Sequence, residues 1–148
     1  MAKFIYRMQS ILNLKYKLEE QAKMEFAASR IRLNEEEEKL EVLFSRKADY
    51  EEEGRRLRED SLKVQDILDN KNAILQMDDY IASQEIEVHR AEEILEEKRQ
   101  KLQEIMQERK VQEKLREKAF ESYVREENST ESKEVDELTS YTYGQRRR

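Results

Sequence analysis

Proline is absent from this chain, and glycine occurs only twice in its 148 residues, at Gly54 and Gly144. Strands have to be joined by turns, and turns draw on glycine and proline, so a chain without them is committed to long helices. The remaining composition agrees: 43% of the residues are charged and 36% hydrophobic, too few apolar side chains for a thick globular core. The expected class is all-α, an elongated coiled coil, and a sheet-containing enzyme is argued against.

The absence of cysteine removes any disulfide frame, thiolate nucleophile or zinc-thiolate site. A net charge of −6 speaks against a dedicated nucleic-acid binder, which would carry a basic surplus. Lys3, Arg7, Gln9, Asn13 and Lys15 interrupt the apolar N-terminus, and no later stretch approaches the ~20 apolar residues of a membrane span. A soluble cytoplasmic protein is expected.

Counting in sevens from Ile74 gives Ile81, Val88, Leu95 and Leu102, with Met77, Gln84, Ala91, Lys98 and Ile105 three residues after each member, which is a seam. Beyond Leu102 the apolar residues Met106, Val111, Leu115, Ala119, Phe120 and Tyr123 follow a spacing nearer 3.6, as a stutter would produce. The first half has the row Leu40, Leu43, Tyr50, Leu57, Val64 and Leu68, interrupted by Lys47, Gly54 and Ser61. Gly54 costs a helix about 1 kcal/mol relative to alanine. The cluster Asp60-Ser61 and Asp69-Asn70-Lys71-Asn72 is rich in capping and turn residues. The expected architecture is therefore an antiparallel two-helix hairpin in a single domain. Arm 1 covers about 4–58, a short helical or irregular turn region lies near 55–76, arm 2 covers about 77–127, and a flexible polar tail covers 128–148. The arms would match in length, about 80 and 75 Å, and the molecule is expected to be a monomer.

On a helix, Phe4, Ile5, Met8, Ile11, Leu12, Leu14, Tyr16 and Leu18 sweep an arc of roughly 200°, wider than a two-helix seam requires. Arg7 and Lys15 lie inside that arc, where their stems can rest on apolar surface with the charges in water. Part of the arc packs on the second arm. The rest suits either a membrane surface, as a basic amphipathic helix does, or insertion into a protein socket.

No catalytic constellation is present in the sequence. Neither glycine has the context of a phosphate-cradling loop, and His89 with Glu85, Glu92 and Glu93 reads as a solvated imidazole beside acids rather than a metal site. No cofactor and no small-molecule substrate is expected.

The opening F-x-Y-R-M-Q-S-I-L-N-L-K at Phe4 to Lys15, the acidic coiled coil, the pair Tyr80-Ile81 and the late V-D-E-L at Val135 to Leu138 together resemble the FliJ family of the flagellar type III export apparatus. Over nearly the whole chain the resemblance implies a non-enzymatic antiparallel coiled coil similar to the rotor stalk of F-type ATPases. The stalk would work in the cytoplasm, peripherally associated with the membrane at the flagellar base. Implied partners are the hexameric ring of the export ATPase FliI, the export gate protein FlhA, export chaperones and the ATPase regulator FliH. Carried to this sequence, Phe4, Ile5, Arg7, Met8, Leu12 and Lys15 would meet the ATPase ring, and Tyr80, Ile81, Gln84, Glu87 and Ala91 the gate. The alternatives are a scaffold or membrane-surface adaptor without an ATPase, and the injectisome counterpart of the same stalk.

Overall fold

The computed structural model describes residues 3–59 and 63–146. It contains two helices, α1 over Gln9–Glu59 and α2 over Val64–Arg146, and no strand among the described residues. The helices pack antiparallel as a hairpin. Two compact units can be distinguished along it, one formed by Gln21–Gln103 and the other by Met1–Glu20 with Glu104–Arg148.

In the Gln21–Gln103 unit, burial on α1 recurs at alternating steps of four and three residues: Ala22, Phe26, Ser29, Leu33, Glu36, Leu40 and onward to Leu57. On α2 the same rhythm runs from Ile67 and Asn70 through Ile74, Met77, Ile81 and Gln84 to Leu102. A strict sevenfold repeat of this kind keeps one stripe of each helix against the other under a left-handed supercoil. Ala22, Leu33, Met77, Ile81 and Ala91 are its most deeply buried apolar members. Each large one contributes about 1.5–3 kcal/mol by leaving water.

The reversal falls inside the expected 55–76 window and is much shorter than that window, because α1 runs to Glu59 and α2 starts at Val64. Gly54 is thus not a breaker. It is buried inside α1 and faces Asn70, whose Nδ2 donates to the Tyr50 carbonyl oxygen at 2.8 Å. A Cβ at position 54 would stand 2.5 Å from Asn70 Oδ1, so the glycine makes room for a polar side chain from across the seam. Asp69 and Asn72, read as turn residues, lie within α2, where Asp69 accepts from Gln65 Nε2 at 2.9 Å. Val64 and Leu68 are exposed, and Ile67 and Asn70 take the seam in their place. Asp60 and Ser61, read as capping residues, lie outside the described residues.

In the other unit the stutter is absent. The sevenfold register continues through Ile105, Arg109, Gln112, Ala119 and Tyr123, all half-buried, with the exposed Arg116 at the position between Gln112 and Ala119, whereas Val111, Leu115 and Phe120 are exposed. Polar side chains can hold these seam positions because each has a partner. Arg109 is ion-paired with Glu19 and donates from Nη1 to Glu113 Oε2 at 3.1 Å and from Nη2 to Glu19 Oε1 at 3.4 Å, and Tyr6 donates its hydroxyl to Gln112 Oε1 at 3.0 Å.

The tail expected over 128–148 is helical through Arg146. Arg147 and Arg148 lie outside the described residues.

Candidate functional site

The N-terminal candidates separate into two groups once the start of α1 is fixed. The helix begins at Gln9, whose N–H donates to the Tyr6 carbonyl at 3.1 Å, so Phe4, Ile5 and Arg7 precede it rather than belonging to its first turns. The first turn of α1 carries no acidic residue, and Lys3 and Arg7 lie just upstream, where the positive end of the helix dipole disfavours cations. Phe4 is instead held by rings on α2. It packs edge-on against Phe120 at 5.2 Å between centroids and against Tyr123 at 5.4 Å, and the Arg116 guanidinium lies 5.6 Å from its centre.

Ile5, at 78% exposed, and Met8 face solvent, as does Arg7. Leu12 does not: at 2% exposed it is the most deeply buried large side chain, and belongs to the hairpin core. Lys15 is half-buried and tied across the seam to Glu108 at 2.8 Å.

That ion pair also locates a surface which the sequence reading caught only in part. Ile11 and Leu18 lie four residues before and three residues after Lys15, and Val111 and Leu115 lie three and seven residues after Glu108. All four therefore flank the same side of the bridge, with Leu14 between Ile11 and Leu18. Ile11, Leu14, Val111 and Leu115 are exposed, and Leu18 half-buried. Lys3, Arg7, Lys17, Lys114 and Lys118 sit around them, and none forms an ion pair among the described residues. The share of α2 in this face was hidden by counting Val111 and Leu115 as seam. Continuing the sevens from Leu102 to Arg109 sets them outside it.

The opposite side of the unit is polar. Tyr16 donates its hydroxyl to Glu113 Oε1 at 2.5 Å, which lowers the Glu113 carboxyl pKa and raises that of the phenol; the Arg109 guanidinium, 3.1 Å from Glu113, adds to the lowering. Arg109 itself is held charged, first by Glu19 and then by Glu113.

The mid-chain candidates divide in the same way. Ile81 and Ala91 are buried in the seam. Gln84 spans it, donating from Nε2 to the Glu36 carbonyl at 2.9 Å and to Glu36 Oε2 at 2.6 Å, a bond that lowers the pKa of the nearly buried Glu36 carboxyl. Tyr80, at 47% exposed, and the half-buried Glu87 lie seven residues apart on an outward flank of α2. Tyr80 accepts a hydrogen bond from Gln76 Nε2 at 3.0 Å, and Glu87 accepts one from Arg90 at 2.8 Å. Lys47 and Asp78, 2.7 Å apart, bridge the seam nearby.

His89 is exposed, with Nε2 3.0 Å from Glu93, and no group of acidic or imidazole side chains fit to hold a metal occurs among the described residues. No helix of the described residues is long and apolar enough to cross a membrane.

Comparison with known families shows which family the chain belongs to. The model of the flagellar FliJ protein family matches residues 4–148. The chain belongs to the FliJ family. No curated protein and no solved structure matches it. FliJ membership implies a non-catalytic component of the flagellar export apparatus, with partners within that apparatus. The FliJ match reaches from Phe4, in the aromatic cluster, to the end of α2, so both candidate surfaces fall inside it.

Proposed function

We propose that this chain is a stalk that docks into the ring of the export ATPase FliI through the face built from Ile5, Arg7, Met8, Ile11 and Leu14 on its N-terminal side and Val111 and Leu115 on α2. The observation that carries the reading is the inversion of polarity in this unit: Arg109, Gln112 and Glu19 occupy the seam while large apolar side chains face outward among cations that form no ion pair among the described residues. A hairpin that needed only to hold itself together would place them the other way round. Phe4, Leu12 and Lys15 support that face by fixing the aromatic cluster, the core and the cross-seam bridge.

The outward flank of α2 at Tyr80 and Glu87 meets the export gate protein FlhA in this reading, with Ile81, Gln84 and Ala91 holding the helix beneath it. Chaperones and the regulator FliH act with the same assembly, in the cytoplasm at the flagellar base. The test replaces Ile11 and Leu14 together with aspartate. Helicity is expected to persist, because both side chains are exposed, and stimulation of the purified export ATPase is expected to disappear. Full stimulation by a normally folded double variant would overturn the docking face.

A further inference from the structure

We infer that α2 carries a second seam on the flank away from Tyr80 and Glu87, and that an amphipathic helix of a partner protein, with lysine or arginine beside its apolar stripe, docks there. Neither docking surface proposed above includes this flank. Leu68, Leu75 and Ala82 recur at sevens, each one residue after a seam member, Ile67, Ile74 or Ile81, whereas Tyr80 and Glu87 come one residue before Ile81 and Val88. At about 100° per residue the two sets fall on opposite sides of the seam. Leu68 and Leu75 are 47% and 53% exposed, Ala82 is exposed with them, and the exposed Val64 and Ile86, four residues before and after the row, extend it.

Helix α1 contributes to the same flank. Lys47 and Asp78 bridge the seam at 2.7 Å; Leu75 and Ala82 lie three residues before and four after Asp78, and Phe44 lies three before Lys47, so all three border one side of the bridge. Phe44 is 48% exposed. A helix with a single partner needs one apolar stripe, and a second row at sevens beside it is what a helix with two neighbours carries. The strict repeat keeps the row aligned with a third supercoiled helix, which singly scattered surface residues would not.

Charge then selects the occupant. Glu41, three residues before Phe44, and Asp79 and Glu85, at helical neighbour spacing from Leu75 and Ala82, form no ion pair among the described residues. Lys71, between Leu68 and Leu75, is a cation at the end of the row nearer the reversal. An anionic membrane surface is repelled by the acidic rim. A second copy laid across a two-fold axis would set the same acids against one another. A helix with cations beside an apolar stripe satisfies the row and the rim together. From Val64 to Ile86 the row is about 33 Å long, so a helix of about 22 residues covers it.

The probe is a dye-labelled synthetic helix of that length with leucines at heptad spacing flanked by lysines, and its match carries glutamates in place of the lysines. Each is titrated with the full-length chain and read by fluorescence anisotropy. The lysine peptide is expected to bind, more weakly in high salt, and the glutamate peptide not to bind. Leu75→Asp, at an exposed position, is expected to keep native helicity and to lose at least tenfold in affinity for the lysine peptide. Asp79→Lys combined with Glu85→Lys is expected to reverse the preference between the two peptides, a result that loss of folding cannot mimic. No binding of the lysine peptide, equal binding of it by the native chain and Leu75→Asp, or a preference unmoved by the charge reversal would each overturn the inference. The Ile11 and Leu14 ATPase test stands apart from these outcomes, since those residues lie outside the Gln21–Gln103 unit.

Discussion

Gly54 and Asn70 allow the packing of the seam to be tested as a sign change. Replacing an exposed mid-helix glycine with alanine gains about 1 kcal/mol from helix propensity alone. Here the new methyl carbon would stand 2.5 Å from Asn70 Oδ1 and 3.3 Å from its Cγ. The amide could swing aside, but doing so breaks the 2.8 Å bond from Asn70 Nδ2 to the Tyr50 carbonyl and leaves an amide that is 8% exposed without that partner. An unsatisfied buried polar group costs about 1–3 kcal/mol. Gly54→Ala in the native background should therefore be neutral to destabilising by about 2 kcal/mol. With Asn70→Ala already present the obstruction is gone, and the same change should stabilise by about 1 kcal/mol. The coupling across the cycle is thus about 1–3 kcal/mol, within the range seen for residues in contact. Urea denaturation followed by circular dichroism measures it, provided the m-value stays constant. If Gly54→Ala raises stability equally in both backgrounds, Asn70 does not depend on the glycine, and the account of why α1 tolerates it fails.

Acid should loosen the hairpin in a defined window. Lys101 and Lys98 hold the Glu25 carboxyl below its ordinary pKa, Gln84 does so for Glu36 and Tyr16 for Glu113, so their stabilising effect is complete above the unfolded carboxylate pKa of about 4.3 and is lost as pH falls through the lowered folded values. A Tm that is flat down to pH 5 and falls below about 4 is expected, and a Tm unchanged at pH 3 would contradict it. Arg109→Met removes the cross-seam partner of Glu19, 5% exposed, and should lower Tm more than Arg109→Met combined with Glu19→Leu, which removes both charges together; thermal melts of the two variants make the comparison. Ile81→Ala should destabilise by about 2–5 kcal/mol, since the side chain is buried in the seam, whereas Tyr80→Ala should melt like the native chain and lose binding to the gate protein. A large early melt for Tyr80→Ala would remove it from the gate surface.

The hairpin was legible because the missing prolines and the sevenfold rows from Ile74 to Leu102 are one-dimensional signals that need no knowledge of the partner strand. What failed was the meaning of single polar residues. Gly54 reads as a breaker until Asn70, beyond the reversal, stands opposite it. Lys47 reads as an interruption until Asp78 satisfies it, and Arg109 and Gln112 drew no notice as seam residues until Glu19 and Tyr6 stood opposite them. Because those cross-seam partners were invisible, the apolar residues beside them were promoted into the seam, and Val111 and Leu115 were lost from the outward face. Leu12 erred in the opposite direction: its place in a 200° arc gave no means of telling the stripe turned to α2 from the stripe turned to solvent.

The polar seam positions also bear on how a two-helix protein keeps one register while exposing so much apolar surface. A uniformly apolar seam on these helices could slide by a heptad, because leucine packs on leucine about equally well in either register. Gln84 can reach both the carbonyl and the carboxylate of Glu36 in only one alignment. Asn70 fits only opposite Gly54, and Arg109 finds Glu19 and Glu113 together only where it stands. Each layer contributes less net stability than a leucine pair would, since desolvation offsets most of its electrostatic gain. It penalises every slipped alignment by leaving a donor or a charge unmatched. With register fixed by polar layers, the apolar side chains are no longer all needed between the helices, and Ile11, Leu14, Val111 and Leu115 can face a partner without the hairpin rearranging to bury them. Apolar replacement of Gln84 and Glu36 should accordingly leave or raise Tm while broadening the spin-label distance distribution between Ser45 and Leu75, and a single narrow distance in that variant would show that the register has another origin.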